Sequence, residues 1–304
     1  MNVQVLNKKK KKKINVRRAL FIAGMLAIPL IQFGIFFVYV NINSILLTFR
    51  VVDPITGTYG WGLDNYQDFF YRFTEYPDYK DAIFNSLMFG LNDLLLVLIS
   101  LVLAYFFFKR IPGTQFFRII FFLPSIISIV IYTMAYSLMF KAGSGPINVL
   151  ITSLGGEEPD WLLDENLARM LVMIYCLWVG TGYNILIFGG AMANINTEVI
   201  EYAKLDGVGM FRELFQVILP MIWPTLSVAF IGSVTTVFTL FIQVKLIVGD
   251  SFGTPRTIAF LINDNVMSNQ EKAATIGIIF TVVATPVILL VRKLIDYVGK
   301  KFGY

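Results

Sequence analysis

Six long apolar runs, separated by clusters of charged residues, constrain this chain most. Each run has about twenty or more residues with few charges, enough for a helix to cross the ~30 Å hydrocarbon core of a bilayer. The predicted spans are 19–48, 82–108, 116–140, 168–192, 222–248 and 273–291. Since a helix satisfies its own backbone hydrogen bonds in lipid, the sequence predicts an all-α, polytopic bundle of six transmembrane helices.

The composition argues against a water-soluble fold. Hydrophobic residues make up 57% of the 304 residues and charged residues 15%, with a mean hydropathy of +0.70. Soluble domains carry about a quarter charged residues. The chain has one cysteine, Cys176, and no histidine, so it offers neither a cysteine cluster nor an imidazole metal site. We therefore expect no metal and no cofactor.

No nucleotide-binding motif occurs in the sequence. The pattern G-x-x-x-x-G-K-[ST], which cradles phosphates in ATPases, does not appear in it. Any ATP must therefore be bound by another chain. No set of residues predicts covalent catalysis, so we expect a protein that is not an enzyme and has no catalytic residues.

A basic segment precedes the first apolar run. It contains the lysines 8–13 together with Arg17 and Arg18. Such a start resembles a signal peptide, but the apolar run far exceeds the roughly 7–15 residues of a signal-peptide core. It is interpreted as a retained anchor, which divides the chain into a basic segment, 1–18, and a six-helix membrane domain, 19–304. The lysines favour a topology determinant at the lipid bilayer, and no nucleic-acid partner is expected.

The distribution of charge predicts the sidedness. With the N-terminus inside, the cytoplasmic segments carry most of the 25 lysine and arginine residues; these segments are 1–18, 109–118, 193–221 and 292–304. Acidic residues concentrate on the opposite side, for example Asp53, Asp64 and Glu158. Since cytoplasmic loops of membrane proteins carry an excess of Lys and Arg, both ends of the chain are predicted to lie in the cytoplasm.

The longest internal loop on the basic side, 194–220, is patterned as two short helices. Thr197 is a predicted N-cap with Glu198 in the first turn, and Gly207 with Gly209 is typical of the turn that ends such a helix. Apolar residues then recur at helical spacing up to Pro220; they are Phe211, Leu214, Phe215 and Ile218. The loop is therefore predicted to present a helix-turn-helix to the cytosol.

The residues of this loop resemble a known motif. The pattern is Glu201-Tyr-Ala203, three residues, Gly207, nine residues, then Val217-x-Leu219-Pro220. It is similar to the EAA-x3-G-x9-I-x-L-P loop of binding-protein-dependent ABC importer permeases, and Asp206 before the glycine also fits. Tyr202 and Val217 depart from the alanine and isoleucine that are usual there.

This resemblance implies the fold of a type I ABC importer permease, with a coupling helix that docks into a cleft of a cytoplasmic ATPase subunit. The implied ATPase-coupling positions all lie in the loop; they are Glu201, Ala203, Asp206, Gly207, Leu219 and Pro220. Small Ala203 and Gly207 permit close approach of backbones, and the acidic side chains suit arginines or lysines of a partner. An amphipathic loop with accidental similarity remains the alternative.

Further stretches resemble the carbohydrate-uptake branch, of the maltose type and in its first permease subunit. They are Phe116-Phe-Arg118, Phe121-Phe-Leu-Pro124, Gly145-Pro-Ile-Asn148, and Trp178 with Gly180. After the fifth span, Gly249-Asp250-Ser251 stands where that branch usually has Gly-Gly-Pro. The resemblance covers most of the membrane region and implies an oligosaccharide or sugar derivative as cargo.

Substrate-binding residues are implied on the fourth and fifth spans by the same resemblance. They are Val179, Gly180, Tyr183, Gly232, Thr235, Thr236 and Thr239, to which the polar intramembrane residue Gln243 is added. The three threonines share a helical face, and Tyr183 offers a ring to stack on a sugar and a hydroxyl to bond it. Threonines and glycines in membrane helices are also common packing residues, and that alternative stays open.

Asp93 and Lys245 stand out among the charged residues inside the predicted spans. Charged groups at membrane depth are costly and usually face protein or water. Lys245 is four residues from Gly249 and is expected to reach outward to the interface. Asp93 has no partner evident in the sequence, and both a buried polar contact and a pathway-lining role are open to it.

Together these observations predict the transmembrane permease subunit of an ATP-driven, binding-protein-dependent importer in a bacterial inner or plasma membrane, working by alternating access. The expected partners are a second homologous permease, two cytoplasmic ATP-binding subunits, an extracytoplasmic substrate-binding protein and a sugar substrate. One alternative is the same class carrying another small polar solute. Another is a stand-alone ion-coupled secondary transporter with Asp93 as its ion site, against which the sequence shows no paired interrupted helices.

Overall fold

The computed structural model describes residues 16–52, 57–250 and 254–303. Within these ranges the chain is mostly helical, with one small two-stranded sheet. The predicted helical class is therefore confirmed for this part of the chain. Most of the predicted basic segment, including the lysines 8–13, lies outside the described residues, as do Asp53 and Ser251.

The helices and strands follow one another along the chain with short connections. In chain order they are α1 (Val16–Phe49), β1 (Arg50–Val52), β2 (Tyr59–Trp61), α2 (Asp64–Glu75), α3 (Asp78–Phe108), α4 (Thr114–Ile126), α5 (Ile129–Met139), α6 (Pro146–Ser153), α7 (Glu165–Ala193), α8 (Thr197–Leu205), α9 (Met210–Met221), α10 (Trp223–Thr239), α11 (Ile242–Ile247), α12 (Ile258–Val266) and α13 (Gln270–Lys301). The strands β1 and β2 pair antiparallel, with Val51 opposite Gly60.

Four helices, α1, α3, α7 and α13, are each long and apolar enough to cross a bilayer. Each begins within four residues of a predicted apolar run, because the runs themselves set where a helix can be stable in lipid. α13 continues to Lys301, well beyond the predicted end at residue 291. α1 contains a wider π-type turn at Gly34–Tyr39.

The other two predicted spans are interrupted, contrary to the expectation of continuous helices. α4 and α5 together cover the run 116–140 but meet at 106°, and the backbone between them is extended at Ile127. α9 and α10 meet at 83°, and the run 222–248 divides at Leu240 into α10 and α11. The structure thus offers four to six spans. Interrupted helices are present, so their predicted absence was wrong and no longer argues against a stand-alone transporter.

α3 is the central helix and packs against α7 and α10. Glycines allow close approach at these crossings: a Cβ on Gly90 would lie 2.3 Å from a methyl of Val237, and one on Gly180 would lie 2.4 Å from a methyl of Leu96. Helices in lipid associate largely through such close packing of small residues. The contact at Gly180 therefore gives that predicted substrate residue a packing role.

Two clusters of buried side chains fill opposite ends of the bundle. One surrounds Tyr105, Phe188 and Ile218, and it packs the 194–220 loop onto α3 and α7. The other surrounds Tyr175 and Phe260, near the end at which α7 begins. The start of α3 lies near the two-stranded sheet, and its end lies beside the 194–220 loop. The loop and the sheet are therefore at opposite ends of α3.

Ion pairs tie β1 and α2 to the start of α13. Arg50 Nη2 lies 2.5 Å from Glu271 Oε1, and Lys272 Nζ lies 2.8 Å from Asp68 Oδ2 on α2. The apolar length of α1 itself is unburied within this chain. Such an apolar surface suits lipid or the helices of another subunit.

Candidate functional site

Asn196 caps the first helix of the 194–220 loop. Its side-chain oxygen accepts a hydrogen bond of 3.1 Å from the backbone N–H of Glu198. The predicted cap, Thr197, is instead the first residue of α8, so that prediction was wrong by one position. Glu198 lies in the first turn as predicted. Asparagine serves because its short side chain satisfies a free N–H as well as threonine does.

Gly207 ends α8 in a left-handed conformation, as the sequence predicted. Its φ is +69°. The N–H of Val208 donates to the carbonyl of Ala203 at 3.0 Å, and the N–H of Gly207 donates to that of Lys204 at 3.1 Å. This pairing satisfies two of the last helical carbonyls. Gly209 has φ −71°, and α9 begins directly after it.

The side chains of α8 divide between a buried and an exposed face. Ala203 is 7% exposed, so it faces the chain's own core. Glu201 and Asp206 are exposed, and the apolar side chains of Tyr202 and Leu205 beside them are 66% and 81% exposed. Sequence reasoning missed Leu205, because only the packing of the helix reveals which apolar residues stay outside. The exposed face combines carboxylates with apolar groups, as protein-binding surfaces do.

α9 anchors the loop on the bundle. Leu214 and Ile218 are buried, whereas Phe211 and Phe215 are 71% and 56% exposed. The four apolar residues predicted at helical spacing therefore lie on two faces, one inward and one outward. The predicted coupling positions at the end of the helix are half-buried; they are Leu219 and Pro220.

A cavity of about 190 Å³ lies among α3, α7 and the junction of α10 with α11. Four predicted substrate residues line it; they are Val179, Gly180, Thr236 and Gln243. Asn92 and Asp93 of α3 supply further polar groups, and rings such as Phe89 and Tyr175 form apolar walls. A few polar groups in a largely apolar concavity are typical of sites for small molecules.

Asp93 and Thr236 meet at this cavity. The Thr236 hydroxyl donates to Asp93 Oδ2 at 3.3 Å. Across the part of the chain that the structure describes, no lysine or arginine lies within ion-pair distance of Asp93. The neighbouring Asn92 donates to the carbonyl of Met173 at 3.2 Å and so is held by α7. Asp93 therefore has a polar contact and lines a cavity at once.

The remaining predicted substrate residues lie outside this cavity. Tyr183 is 61% exposed, and a Cβ on Gly232 would meet no atom within 4 Å. The hydroxyl of Thr235 donates to the carbonyl of Ile231 at 2.9 Å, and that of Thr239 to the carbonyl of Thr235 at 3.2 Å. Hydroxyls bonded to their own helix are ordinary in membrane helices. Tyr183 and Gly232 thus face open space beside the single chain.

Lys245 belongs to a different polar group. Its Nζ lies 3.1 Å from Asn263 Oδ1, and 3.7 Å and 3.8 Å from carboxylate oxygens of Asp264 and Asp250. These contacts draw Lys245 toward α12 and the end of the bundle opposite the loop, in the direction that the sequence suggested.

The described residues contain no group of three or more His, Cys, Asp or Glu arranged to hold a metal ion. Cys176 is a free thiol in the lining of the cavity around Asp93.

Apolar helices, a polar cavity among them and a folded loop at one end define a multi-pass membrane transport protein. The chain belongs to the family of binding-protein-dependent transport system inner membrane components, whose model matches residues 96–304. It is therefore a multi-pass inner-membrane protein and the membrane component of such a system, and the resemblance carried by the 194–220 loop is confirmed.

Comparison with individual proteins agrees with this family. The chain is 26% identical to protein LplB of Bacillus subtilis over 290 aligned residues. This alignment covers 91% of this chain and 88% of LplB. The chain is also 28% identical to the maltose/maltodextrin transport system permease protein MalF of Salmonella typhimurium over 168 aligned residues. This alignment covers 54% of this chain and 33% of MalF. The fold resembles a chain in the crystal structure of a bacterial alginate ABC transporter in complex with an alginate pentasaccharide-bound periplasmic protein. That likeness has a TM-score of 0.79 and 19% identity over 94% of this chain and 97% of the other.

Proposed function

We propose that this protein is one permease subunit of an ATP-driven importer for an oligosaccharide or sugar derivative. The observation that carries the proposal is the folded 194–220 loop, in which α8 exposes Glu201 and Asp206 together with Tyr202 and Leu205. An exposed helix face with charged and apolar side chains offers the contacts that a cytoplasmic ATP-binding subunit needs for binding.

The proposed topology has six spans, with both ends of the chain in the cytoplasm. Each bent pair then counts as one span, α4 with α5 and α9 with α10. The basic segment 1–18 precedes a single membrane domain, 19–304. The positive-inside pattern supports this sidedness, because it places the 194–220 loop on the same face as the lysine-rich N-terminus.

The proposed partners are a second homologous permease, two ATP-binding subunits and an extracytoplasmic binding protein. The unburied apolar length of α1 and the open face around Tyr183 suit a second permease that completes the passage. The ATP-binding subunits would hold α8, and the binding protein would meet the opposite end, near the two-stranded sheet. A periplasmic protein is part of the solved alginate transporter complex, which supports this arrangement.

A saccharide cargo is supported by the relatives and by the chemistry of the cavity. MalF is named for maltose and maltodextrin, and one solved structural relative is an alginate transporter. The cavity places the Thr236 hydroxyl, the Gln243 amide and the Asp93 carboxylate among aromatic walls. Hydroxyl-rich sugars need such donors and acceptors together with a ring to stack on.

Alternating access would couple the two regions. ATP binding by the partner subunits would move α8, and α9 would pass that movement to the helices around the cavity. A ligand shifts such an equilibrium only through different contacts in the two states. The loop supplies those contacts at one end, and the binding protein supplies them at the other.

Two substitutions in the 194–220 loop test the proposal. In the reconstituted transporter, Glu201→Lys and Gly207→Trp should insert normally but abolish uptake and binding-protein-stimulated ATP hydrolysis. Asp296→Lys makes the same charge change on exposed surface of α13 and should leave both activities near wild type. Normal coupling in both loop variants would overturn the assignment, and uptake that survives removal of every ATP-binding subunit would favour the ion-coupled transporter.

A further inference from the structure

The carboxylate of Asp93 is the charged group in the lining of the cavity among α3, α7 and α10. It accepts a hydrogen bond of 3.3 Å from a neutral hydroxyl, that of Thr236. Lys245 follows Gln243 by two positions but pairs with Asp250 and Asp264 in another pocket. Among the described residues, the Asp93 carboxyl group therefore has no lysine or arginine within ion-pair distance.

A carboxylate in such a cavity discriminates between solutes. Ionised Asp accepts hydrogen bonds and donates none, so it bonds hydroxyls and ammonium groups but not another carboxylate. Weak screening between apolar helices strengthens both the attraction and the repulsion. Like charges placed close together are costly, so a site can exclude wrong partners by repulsion as well as by favourable contacts to the right ones.

The position of Asp93 places this discrimination at the proposed substrate site. It shares the cavity with Val179, Gly180 and Thr236, which the family resemblance predicted to bind substrate, and with Gln243, which was predicted from its polarity within a span. Asp93 comes from α3, a helix to which that resemblance assigns no substrate residue. The cavity thus acquires its charge from the central helix of the bundle.

We infer that Asp93 is a specificity-determining residue that admits neutral or amino-bearing saccharides and excludes acidic ones. This inference rests on the proposed function and sharpens it by naming the class of sugar. The carboxylate accepts hydrogen bonds from sugar hydroxyls as they displace the Thr236 hydroxyl. A uronic acid, such as the units of the acidic polysaccharide alginate, brings a second negative charge to the same cavity.

Direct binding to the assembled transporter, purified without its binding protein, tests the inference free of that protein's own preference. The probes are labelled maltotriose, which is neutral, glucosamine trimer, which is cationic, and trigalacturonate, which is anionic. The wild type should bind the first two at least about tenfold more tightly than trigalacturonate. Asp93→Asn keeps the size and one accepting oxygen but removes the charge, and it should reduce the preference to within about threefold.

Two further variants keep the test sharp. Gln243→Lys adds a cation to the same cavity and should raise trigalacturonate binding without touching Asp93, whereas Asp264→Asn removes a carboxylate outside the cavity and should change nothing. A wild type that binds trigalacturonate as tightly as maltotriose overturns the inference but leaves the saccharide function standing. If no trisaccharide binds to the wild type while ATP-driven uptake of another solute proceeds, the saccharide function itself fails, and the inference with it.

Discussion

The ammonium nitrogen of Lys109 lies 2.5 Å from a carboxylate oxygen of Glu213, and this ion pair joins the end of α3 to α9. The side chains are 19% and 4% exposed. Beside them the hydroxyl of Tyr105 donates to the carbonyl of Met210 at 3.0 Å. Because α3 also carries Asp93, one helix links the cavity to the 194–220 loop.

Breaking this pair from one side should destabilise the protein strongly. Removing one partner of a buried ion pair costs about 3–5 kcal/mol, because it leaves a buried charge without compensation. Lys109→Met should therefore lower the thermal unfolding midpoint in detergent, and the double variant Lys109→Met with Glu213→Leu should recover most of the loss. Arg212→Met, on the exposed side of α9, is the control. An unchanged midpoint in Lys109→Met would show that the pair adds no net stability.

The left-handed turn at residue 207 should tolerate only glycine or asparagine. A side chain at Gly207 meets no atom within 4 Å, so Gly207→Ala is opposed by backbone strain alone, about 1–2 kcal/mol. That strain should displace α8 and lower binding-protein-stimulated ATP hydrolysis, while Gly207→Asn should retain more of it. Gly209→Ala also meets open space but has φ −71°. Equal losses in the alanine variants at 207 and 209 would refute the backbone explanation.

The crossing of α4 and α7 should not accept a methyl group at residue 182. A Cβ on Gly182 would lie 1.9 Å from the backbone oxygen of Phe121, so the two helices would have to separate. Overpacking of this kind typically costs about 1–3 kcal/mol or more. We expect Gly182→Ala to reduce the yield of monodisperse protein and its thermal midpoint. Gly189→Ala, on the same helix but with no atom within 4 Å, should behave as wild type; matching profiles would contradict the packing.

The ion pairs of Asp68 should make stability depend on pH. Partial burial raises the pKa of Asp68, but Lys272 and Arg72 outweigh it and hold that pKa below its usual value of 3.8. A carboxyl whose folded pKa is depressed stabilises the protein above the unfolded pKa and loses that effect as the pH falls through the folded value.

The wild type should therefore unfold at a higher temperature than Asp68→Asn near pH 6, and the two midpoints should approach each other as the pH falls below 3.8 and through the lowered pKa of Asp68. Glu157→Gln, at an exposed site near the same end of the bundle, should follow the wild type throughout. A constant difference between wild type and Asp68→Asn across this range would count against the ionic origin of the effect.

Local pattern was sufficient for much of this fold. α1, α3, α7 and α13 begin close to their predicted apolar runs, because continuous apolar sequence is what lipid requires of a spanning helix. The turn at Gly207 was equally predictable, since only its backbone conformation is at issue. The cap at Asn196 was missed by one residue, because asparagine and threonine are both good caps and only the backbone decides between neighbours.

Interrupted helices could not be predicted in this way. The run 222–248 has no proline or glycine near Leu240, yet the helix stops there. The carbonyl of Leu240 accepts a hydrogen bond of 2.5 Å from the hydroxyl of Thr257, which lies outside this helix. A backbone group released from a helix inside a membrane protein needs such a partner.

The sequence by itself determined the apolar runs, the helical class, the loop motif and the candidate positions on the fourth and fifth spans. Only the tertiary structure decided that Asp93 meets Thr236, 143 positions away, and that Lys109 meets Glu213. Periodicity describes a helix and its faces, but the pairing of faces depends on close fits such as Gly90 against Val237. Those fits exist only after the helices have packed, so only the tertiary structure could assign Asp93 to the cavity.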